Sequence, residues 1–213
     1  MSLSLKTADA PMASVSIPDA DAAAPEQRYR ANAYGLIAAL LRGEPDGALL
    51  ARVGGFAEAP DAEDDLGVAM ALLGLAARST SENQAAREFF RLFIGIGRGE
   101  LVPFGSWYQT GFLMERPLGE LRDDLAALGF ERADDVKEPE DHVAALCEVM
   151  ALLIEDRTPI EQQAHFFQTH MAPWVGRFFA DLESAEGAAF YKAVGRFGSA
   201  YVSFEGRYLA MPA

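Results

Sequence analysis

The feature that most limits how this chain can fold is a helical spacing of apolar residues, which recurs over most of its length. Between residues 27 and 43 the apolar side chains follow the i, i+3, i+4 pattern of an amphipathic helix. They are Ala33, Leu36, Ile37, Leu40 and Leu41. Further segments of this kind follow, and no run alternates polar and β-branched residues as a half-buried strand would. The sequence therefore predicts an all-α fold, a single globular helical bundle.

The charge balance limits the classes of partner. The chain has 213 residues, a formal net charge of −14 and a pI near 4.6. A nucleic-acid-binding protein normally presents a basic face, and an anionic membrane surface also attracts basic segments. We therefore expect no nucleic acid and no membrane insertion. A basic partner such as an arginine-bearing peptide fits the sign of the field, although solubility alone explains an acidic composition equally well.

The N-terminal segment differs in composition from the rest of the chain. Residues 1–25 are rich in Ala, Ser, Pro and Asp and lack the apolar core of a secretory signal, which predicts a disordered tail. The single cysteine, Cys147, allows no intrachain disulfide, so a cytoplasmic location is expected. We predict one helical domain over 26–213, with lobes at 26–100 and 117–213 joined by the segment 101–116.

One break between helices, "LVPFGSWYQ" at residues 101–109, is unusually aromatic. Pro103 disfavours helical angles before it, and Ser106 and Gln109 have capping-box spacing. This pattern predicts a helix that starts at Ser106 and runs through "SWYQTGFLME". The aromatic side chains either fill a gap between helices or line a groove that binds a peptide.

A second segment, "EPEDH" at residues 138–142, follows an acidic stretch. Between residues 131 and 141 there are six acidic against two basic residues. Asp141 and His142 are expected in the first turn of the next helix, where the helix dipole stabilises carboxylates. The segment is either a solvated acidic loop or an acidic lip that pairs with arginine side chains.

Catalytic and metal-binding patterns are weak. His142 and Cys147, like His165 and His170, are five residues apart, which is not the i, i+4 spacing of helical ligand pairs. The glycines of "GIGRGE" have no GK[ST] motif after them, and Cys147 is expected to be a core thiol. We therefore predict no catalytic residue, no metal and no cofactor.

The order of motifs resembles that of the TorD/DmsD-type redox-enzyme maturation chaperones. The resemblance spans residues 27–204 and depends on "EFFRLFIGIG", "LVPFGSWY", "RPLGELRDDLAALGF", "EPEDHVAALCEVMALLI" and "FFQTHMAPWVGRFF". It implies a helical, non-enzymatic chaperone. Such a chaperone binds the twin-arginine signal peptide, or leader, and the apo form of a molybdopterin oxidoreductase, and keeps that enzyme from export until its cofactor is inserted.

The resemblance also implies which residues bind the leader. These are Pro103, Phe104, Ser106, Tyr108, Asp141 and His142, to which the aromatic Trp107 and the acidic Glu138 are added as neighbours. His142 either tunes the site by protonation or is a structural hydrogen-bond partner. A nucleotide- or metal-dependent enzyme and a structural assembly adaptor are the alternative functions, and a homodimer is compatible with such folds through exchange of helical lobes.

Overall fold

The computed structural model describes residues 6–7, 25–58, 64–131 and 138–211. The predicted tail, 1–25, lies outside these ranges except for Lys6, Thr7 and Pro25. The described residues form ten α-helices, which confirms the all-α prediction. They are α1 (Pro25–Arg42), α2 (Gly47–Gly54), α3 (Asp65–Arg78), α4 (Glu82–Phe89), α5 (Gly105–Thr110), α6 (Arg116–Ala127), α7 (Val143–Glu155), α8 (Ile160–Phe166), α9 (Val175–Ser184) and α10 (Phe190–Leu209).

Short segments of other geometry accompany these helices. A 3₁₀ turn, Gly55–Glu58, follows α2, and π-helical turns follow α4 and α8 at Phe90–Ile94 and Phe167–Met171. Two antiparallel strands, β1 (Lys6–Thr7) and β2 (Phe130–Glu131), pair with each other. The sequence pattern predicted no strand, because a ladder of two residues needs no alternation of apolar side chains.

Helix α7 lies at the centre of the fold. Ten of its 13 residues are buried, as expected for a helix that is apolar on nearly all sides. It packs mainly against α1, while α10 packs against α9 and α3. Side chains from both predicted lobes contribute to one apolar core, and the division into two lobes stays a prediction.

A buried ion pair connects the first helix to the last. The guanidinium group of Arg30 donates to both carboxylate oxygens of Glu205, with a distance of 2.9 Å from Nε to Oε2. The two side chains are 1% and 0% exposed. Nη2 of Arg30, one of the two nitrogens that donate to Glu205, also donates to Oε1 of Gln163 at 3.0 Å. Each charge therefore has its partner inside the core, and removing one partner would leave the other charge buried and uncompensated.

Carboxylates from distant segments cap helix N-termini. Glu88, which is buried, accepts hydrogen bonds from the backbone nitrogens of Phe190 and Tyr191, both at 3.0 Å. These nitrogens belong to the first turn of α10, where no intrahelical acceptor exists. Glu100 accepts similarly from Glu186 and Gly187 in the turn before α10. The α4 region therefore determines where α10 begins.

Candidate functional site

Helix α5 begins and ends at different residues from those predicted. It starts at Gly105 and ends before Gly111, whose φ of 84° lies in the left-handed region. The predicted capping box is wrong, because Ser106 Oγ accepts from the backbone nitrogen of Met114 at 3.2 Å and Gln109 donates to the carbonyl of Gly105. The predicted run to residue 115 is also wrong, since glycine allows the left-handed turn that ends the helix.

Asp141, rather than Ser106, caps α5. Its Oδ2 accepts from the backbone nitrogen of Ser106 at 2.7 Å, and its backbone carbonyl accepts from Gly105 at 2.9 Å. The side chain is only 3% exposed. A carboxylate that accepts from backbone N–H groups at a helix start is favoured by the helix dipole. Asp141 thus holds the start of α5 although it lies 35 residues away in the sequence.

The two predicted motifs meet at one buried junction. The backbone nitrogen of Val143 donates to the carbonyl of Pro103 at 2.9 Å, and Phe104 forms a β-bridge with His142. The rings of Phe104 and His142 lie edge to face, with their centroids 5.0 Å apart. The structure therefore brings together the segments 103–106 and 141–143, which we call the motif junction.

His142 lies just before helix α7 and not in its first turn, so that part of the prediction is wrong. Its Nδ1 accepts from the backbone nitrogen of Ala144 at 3.1 Å, which makes it the N-cap of α7. Burial, together with the positive charge of Arg42, lowers the pKa of His142 to about 3. The imidazole is therefore neutral near pH 7, and of the two roles left open by the sequence the geometry favours the structural one.

The acidic side chains of residues 138 and 140 face arginines of the same chain. Glu138 lies 3.6 Å from Arg42, and Glu140 lies 2.8 Å from Arg122. Residues 132–137 of the predicted acidic lip lie outside the described residues. Within the described part of the chain, the carboxylates of the "EPEDH" segment are thus engaged with internal partners.

The aromatic side chains of α5 have two different environments. Tyr108 packs against Trp174 and Phe178, with centroid distances of 5.5 and 5.9 Å, and its hydroxyl donates to Asp181 at 2.9 Å. Burial and the nearby Asp181 raise the pKa of Tyr108. Trp107 is partly exposed. Both rings border a cavity of about 280 Å³, whose polar walls are Arg98, Glu100, Arg177 and Asp181.

An apolar loop that the sequence reasoning missed follows α5. Phe112, Leu113 and Met114 are 68%, 44% and 72% exposed. Three consecutive large apolar side chains in water are unusual unless they serve a binding function. The hydrogen bond from the Met114 nitrogen to Ser106 ties the loop to the motif junction. The sequence does contain a signal for this loop. If Gly111 is taken as the end of a helix, the stretch "FLM" becomes three consecutive apolar residues in a loop.

Four charged residues near the rings were also missed. Arg177 and Asp181 lie on α9, and Arg98 and Glu100 lie before α5. No local pattern marks them. Arg177 and Asp181 approach Tyr108 through the packing of α9 against α5, and Arg98 and Glu100 reach the same cavity through the path of the segment before α5.

Elsewhere among the described residues, few features point to catalysis or metal binding. A larger cavity, of about 680 Å³, lies between α1, α2 and α7 and contains none of the predicted site residues. Among the described residues, no group of three or more His, Cys, Asp or Glu side chains could hold a metal ion. Cys147 is buried, as predicted, and burial raises its pKa. None of the described helices combines the length and the apolar character needed to cross a membrane.

Comparisons with known proteins identify relatives. A family model described as "Nitrate reductase delta subunit" matches residues 59–180. The chaperone protein TorD of Vibrio parahaemolyticus serotype O3:K6 is 25% identical over 151 residues, which cover 65% of this chain and 70% of that protein. TorD of Vibrio atlanticus is 26% identical over 152 residues, which cover 66% and 71%.

A solved structure shares the fold. A candidate redox enzyme maturation protein from Archaeoglobus fulgidus superposes with a TM-score of 0.56 at 16% identity. The match covers 83% of this chain and 93% of that one. At this level of identity the similarity shows a common fold.

Proposed function

Because this chain belongs to the nitrate reductase delta subunit family and is a TorD-type maturation chaperone, we propose that it binds the twin-arginine leader of a molybdopterin oxidoreductase. In this role it acts in the cytoplasm, assists cofactor insertion and delays export of the apo-enzyme. The predicted leader-binding residues are Pro103, Phe104, Ser106, Trp107, Tyr108, Glu138, Asp141 and His142.

One observation carries this proposal, namely that the two motifs of the resemblance meet at the motif junction. Asp141 holds the start of α5 through Ser106, and Ser106 in turn holds the backbone of Met114. The buried motif residues therefore give a defined shape to an exposed surface. We call this the α5 surface, and it consists of Trp107, Tyr108 and the apolar loop at residues 112–114.

The α5 surface has the character that a leader peptide requires. Leaders of this type combine a pair of arginines with an apolar stretch. Burial of the apolar stretch against residues 112–114 would supply affinity at about 25 cal/mol per Å² of apolar surface. Pro103, Asp141 and His142 are buried, so in this proposal they position the surface, whereas Trp107 and the loop make the contacts.

A binding titration tests the proposal. The purified chain is titrated calorimetrically with a synthetic leader and with a variant in which both arginines are lysines. We expect tighter binding of the arginine form, because guanidinium groups form bidentate and stacked contacts that an ammonium cannot. Equal and weak binding of both peptides would count against a leader-reading site.

A pair of matched protein variants locates the surface. Phe112→Ala removes an exposed ring from the apolar loop, and Tyr29→Ala removes a ring of similar exposure, 70%, from α1. Only Phe112→Ala is expected to weaken leader binding, by about 1 kcal/mol or more for an aromatic side chain in an interface. Equal effects of the two variants would place the leader elsewhere.

The proposal includes the absence of catalysis. Metal analysis and a phosphate-release assay on the purified chain separate a chaperone from a metal- or nucleotide-dependent enzyme. Stoichiometric zinc or iron after dialysis would favour the enzyme.

The oligomeric state needs a separate measurement. A homodimer, formed by exchange of the proposed lobes, is checked by light scattering after size exclusion. A permanent stoichiometric partner would favour an assembly adaptor instead.

A further inference from the structure

The two aromatic rings of the α5 surface each have an arginine of the same chain over them. The guanidinium carbon of Arg98 lies 5.2 Å from the ring centroid of Trp107, and that of Arg177 lies 5.1 Å from the ring centroid of Tyr108. Both distances are within the range of cation–π attraction. Trp107 and Tyr108 are adjacent in the sequence, so the chain presents two neighbouring sites for guanidinium groups.

Carboxylates lie next to both sites. Asp181 accepts from the hydroxyl of Tyr108, and Glu100 accepts from backbone nitrogens at 2.7 and 3.0 Å. A carboxylate offers about four acceptor positions, so each group retains capacity for a guanidinium donor. Rings, carboxylates and both arginines border the same cavity of about 280 Å³.

The internal arginines are in positions from which they can be displaced. Arg98 and Arg177 are exposed, so removing either from its ring uncovers little buried surface. Displacing Arg177 also breaks a hydrogen bond from its Nη2 to the backbone carbonyl of Tyr108. Arg98 lies between Gly97, with a φ of 91°, and Gly99. Gly97 has open space around it and gives the backbone before Arg98 freedom to move, whereas Gly99 is packed against the backbone of Leu92 and Phe93.

We propose that Trp107 and Tyr108, with Glu100 and Asp181, form a paired guanidinium site. Arg98 and Arg177 occupy it in the free chain, and the two arginines of a leader displace them. This inference rests on the proposed function and names the part of the α5 surface that reads the arginine pair. The residues around the two rings, rather than the "EPEDH" carboxylates, would then select arginine, because those carboxylates already have internal partners.

The test removes the internal competitors. Arg98→Gln and Arg177→Gln are compared with Arg196→Gln, which removes the same charge from α10, where Arg196 pairs with Asp65. Each of the first two variants is expected to bind the Arg–Arg leader about two- to fivefold tighter than the control, the range that one exposed cation–π contact supplies. A smaller gain is expected with the Lys–Lys leader, because lysine lacks the planar group that stacks on a ring.

A second variant links the gain to the ring. In a Trp107→Leu background, which keeps apolar bulk without an aromatic face, Arg98→Gln is expected to give no gain. A gain of the same size in that background would show that Arg98 acts by charge repulsion alone and would overturn the inference. Thermal unfolding of each variant verifies that the fold is intact.

The outcomes distinguish a failure of the proposed function from a failure of the paired guanidinium site. If the unmodified chain binds neither leader, both the proposed function and this inference fail. If it binds with a preference for arginine but Arg98→Gln and Arg177→Gln match Arg196→Gln, only the inference fails. Weaker binding by either variant would identify that arginine as a donor to the leader. It would also overturn the inference that this arginine occupies the site only until the leader displaces it.

Discussion

Replacing His142 by asparagine is expected to remove one pH dependence from the stability of this protein. His142 is 6% exposed and accepts a hydrogen bond at Nδ1 from the N-terminal turn of α7. The oxygen of asparagine occupies nearly the same position as Nδ1, and asparagine is a favoured N-cap residue. The variant therefore keeps an acceptor for α7 but has no group that can take up a proton.

The sign and size of this pH dependence follow from the pKa values of His142 in the unfolded and folded chain. The pKa of His142 falls from 6.5 in the unfolded chain to about 3 in the fold. Below pH 6.5 the unfolded chain takes up a proton on His142 that the folded chain does not. The free energy of unfolding therefore has its full value above pH 6.5 and decreases as the pH falls toward 3. Between pH 8 and pH 5 the loss is about 2 kcal/mol, from 1.5 pH units at about 1.4 kcal/mol each. This value holds for any folded pKa well below 5.

The assay is urea unfolding followed by circular dichroism at pH 8, 7, 6 and 5. Other groups also titrate in this range, so the informative quantity is the difference in unfolding free energy between the unmodified chain and His142→Asn. Loss of the ring contact with Phe104 shifts that difference by a constant amount, whereas proton uptake changes it by about 2 kcal/mol across the series.

His165→Asn, at an exposed position, controls for the loss of a histidine. Parallel stability profiles of the unmodified chain and His142→Asn between pH 8 and pH 5 would refute the assignment of His142 as a buried neutral cap.

Three further predictions concern unfolding free energies at pH 7 in the same assay. Asp141→Ala is expected to lower stability by about 1.5–3 kcal/mol, because it removes the charged acceptor of the buried cap of α5, and an unchanged value would contradict that role. Glu205→Gln leaves the guanidinium of Arg30 buried without a counter-charge and should cost about 3–5 kcal/mol, so a loss below 1 kcal/mol would argue against burial of this pair. Gly195→Ala should cost about 1–3 kcal/mol, since its Cβ would lie 2.5 Å from a backbone nitrogen of α9. Gly206→Ala on the same helix has room and should be neutral or stabilising by up to about 1 kcal/mol, and equal effects of the two would show that α9 does not approach α10 so closely.

Local chemistry was sufficient to predict the helical class and several helix ends. Helix α1 ends at Arg42, immediately before Gly43, and a glycine just beyond the last helical residue is a common helix stop. Gly129 follows α6 with a φ of 81°, as expected for a residue just beyond a helix end. These features depend on neighbours in the sequence, so a reader of the sequence has all the information that they require.

The predicted site residues were brought together, but the parts they play were not visible in the sequence. Asp141 accepts a hydrogen bond from Ser106, which is 35 residues away in the sequence. The capping box predicted from the spacing of Ser106 and Gln109 does not form. An N–H group at a helix start takes whichever acceptor the fold places there. No spacing rule indicates an acceptor from another part of the chain.

The sequence by itself determined that the chain is helical, acidic and similar to maturation chaperones. The spacing of apolar residues, the composition and the order of the motifs can all be read from the sequence without knowing any distance in space. Only the tertiary structure decided which charged groups are buried as caps, which are paired internally and which border the aromatic rings. Hydrogen bonding and desolvation depend on distances through space, and these exist only once α5, α7 and α9 have packed together.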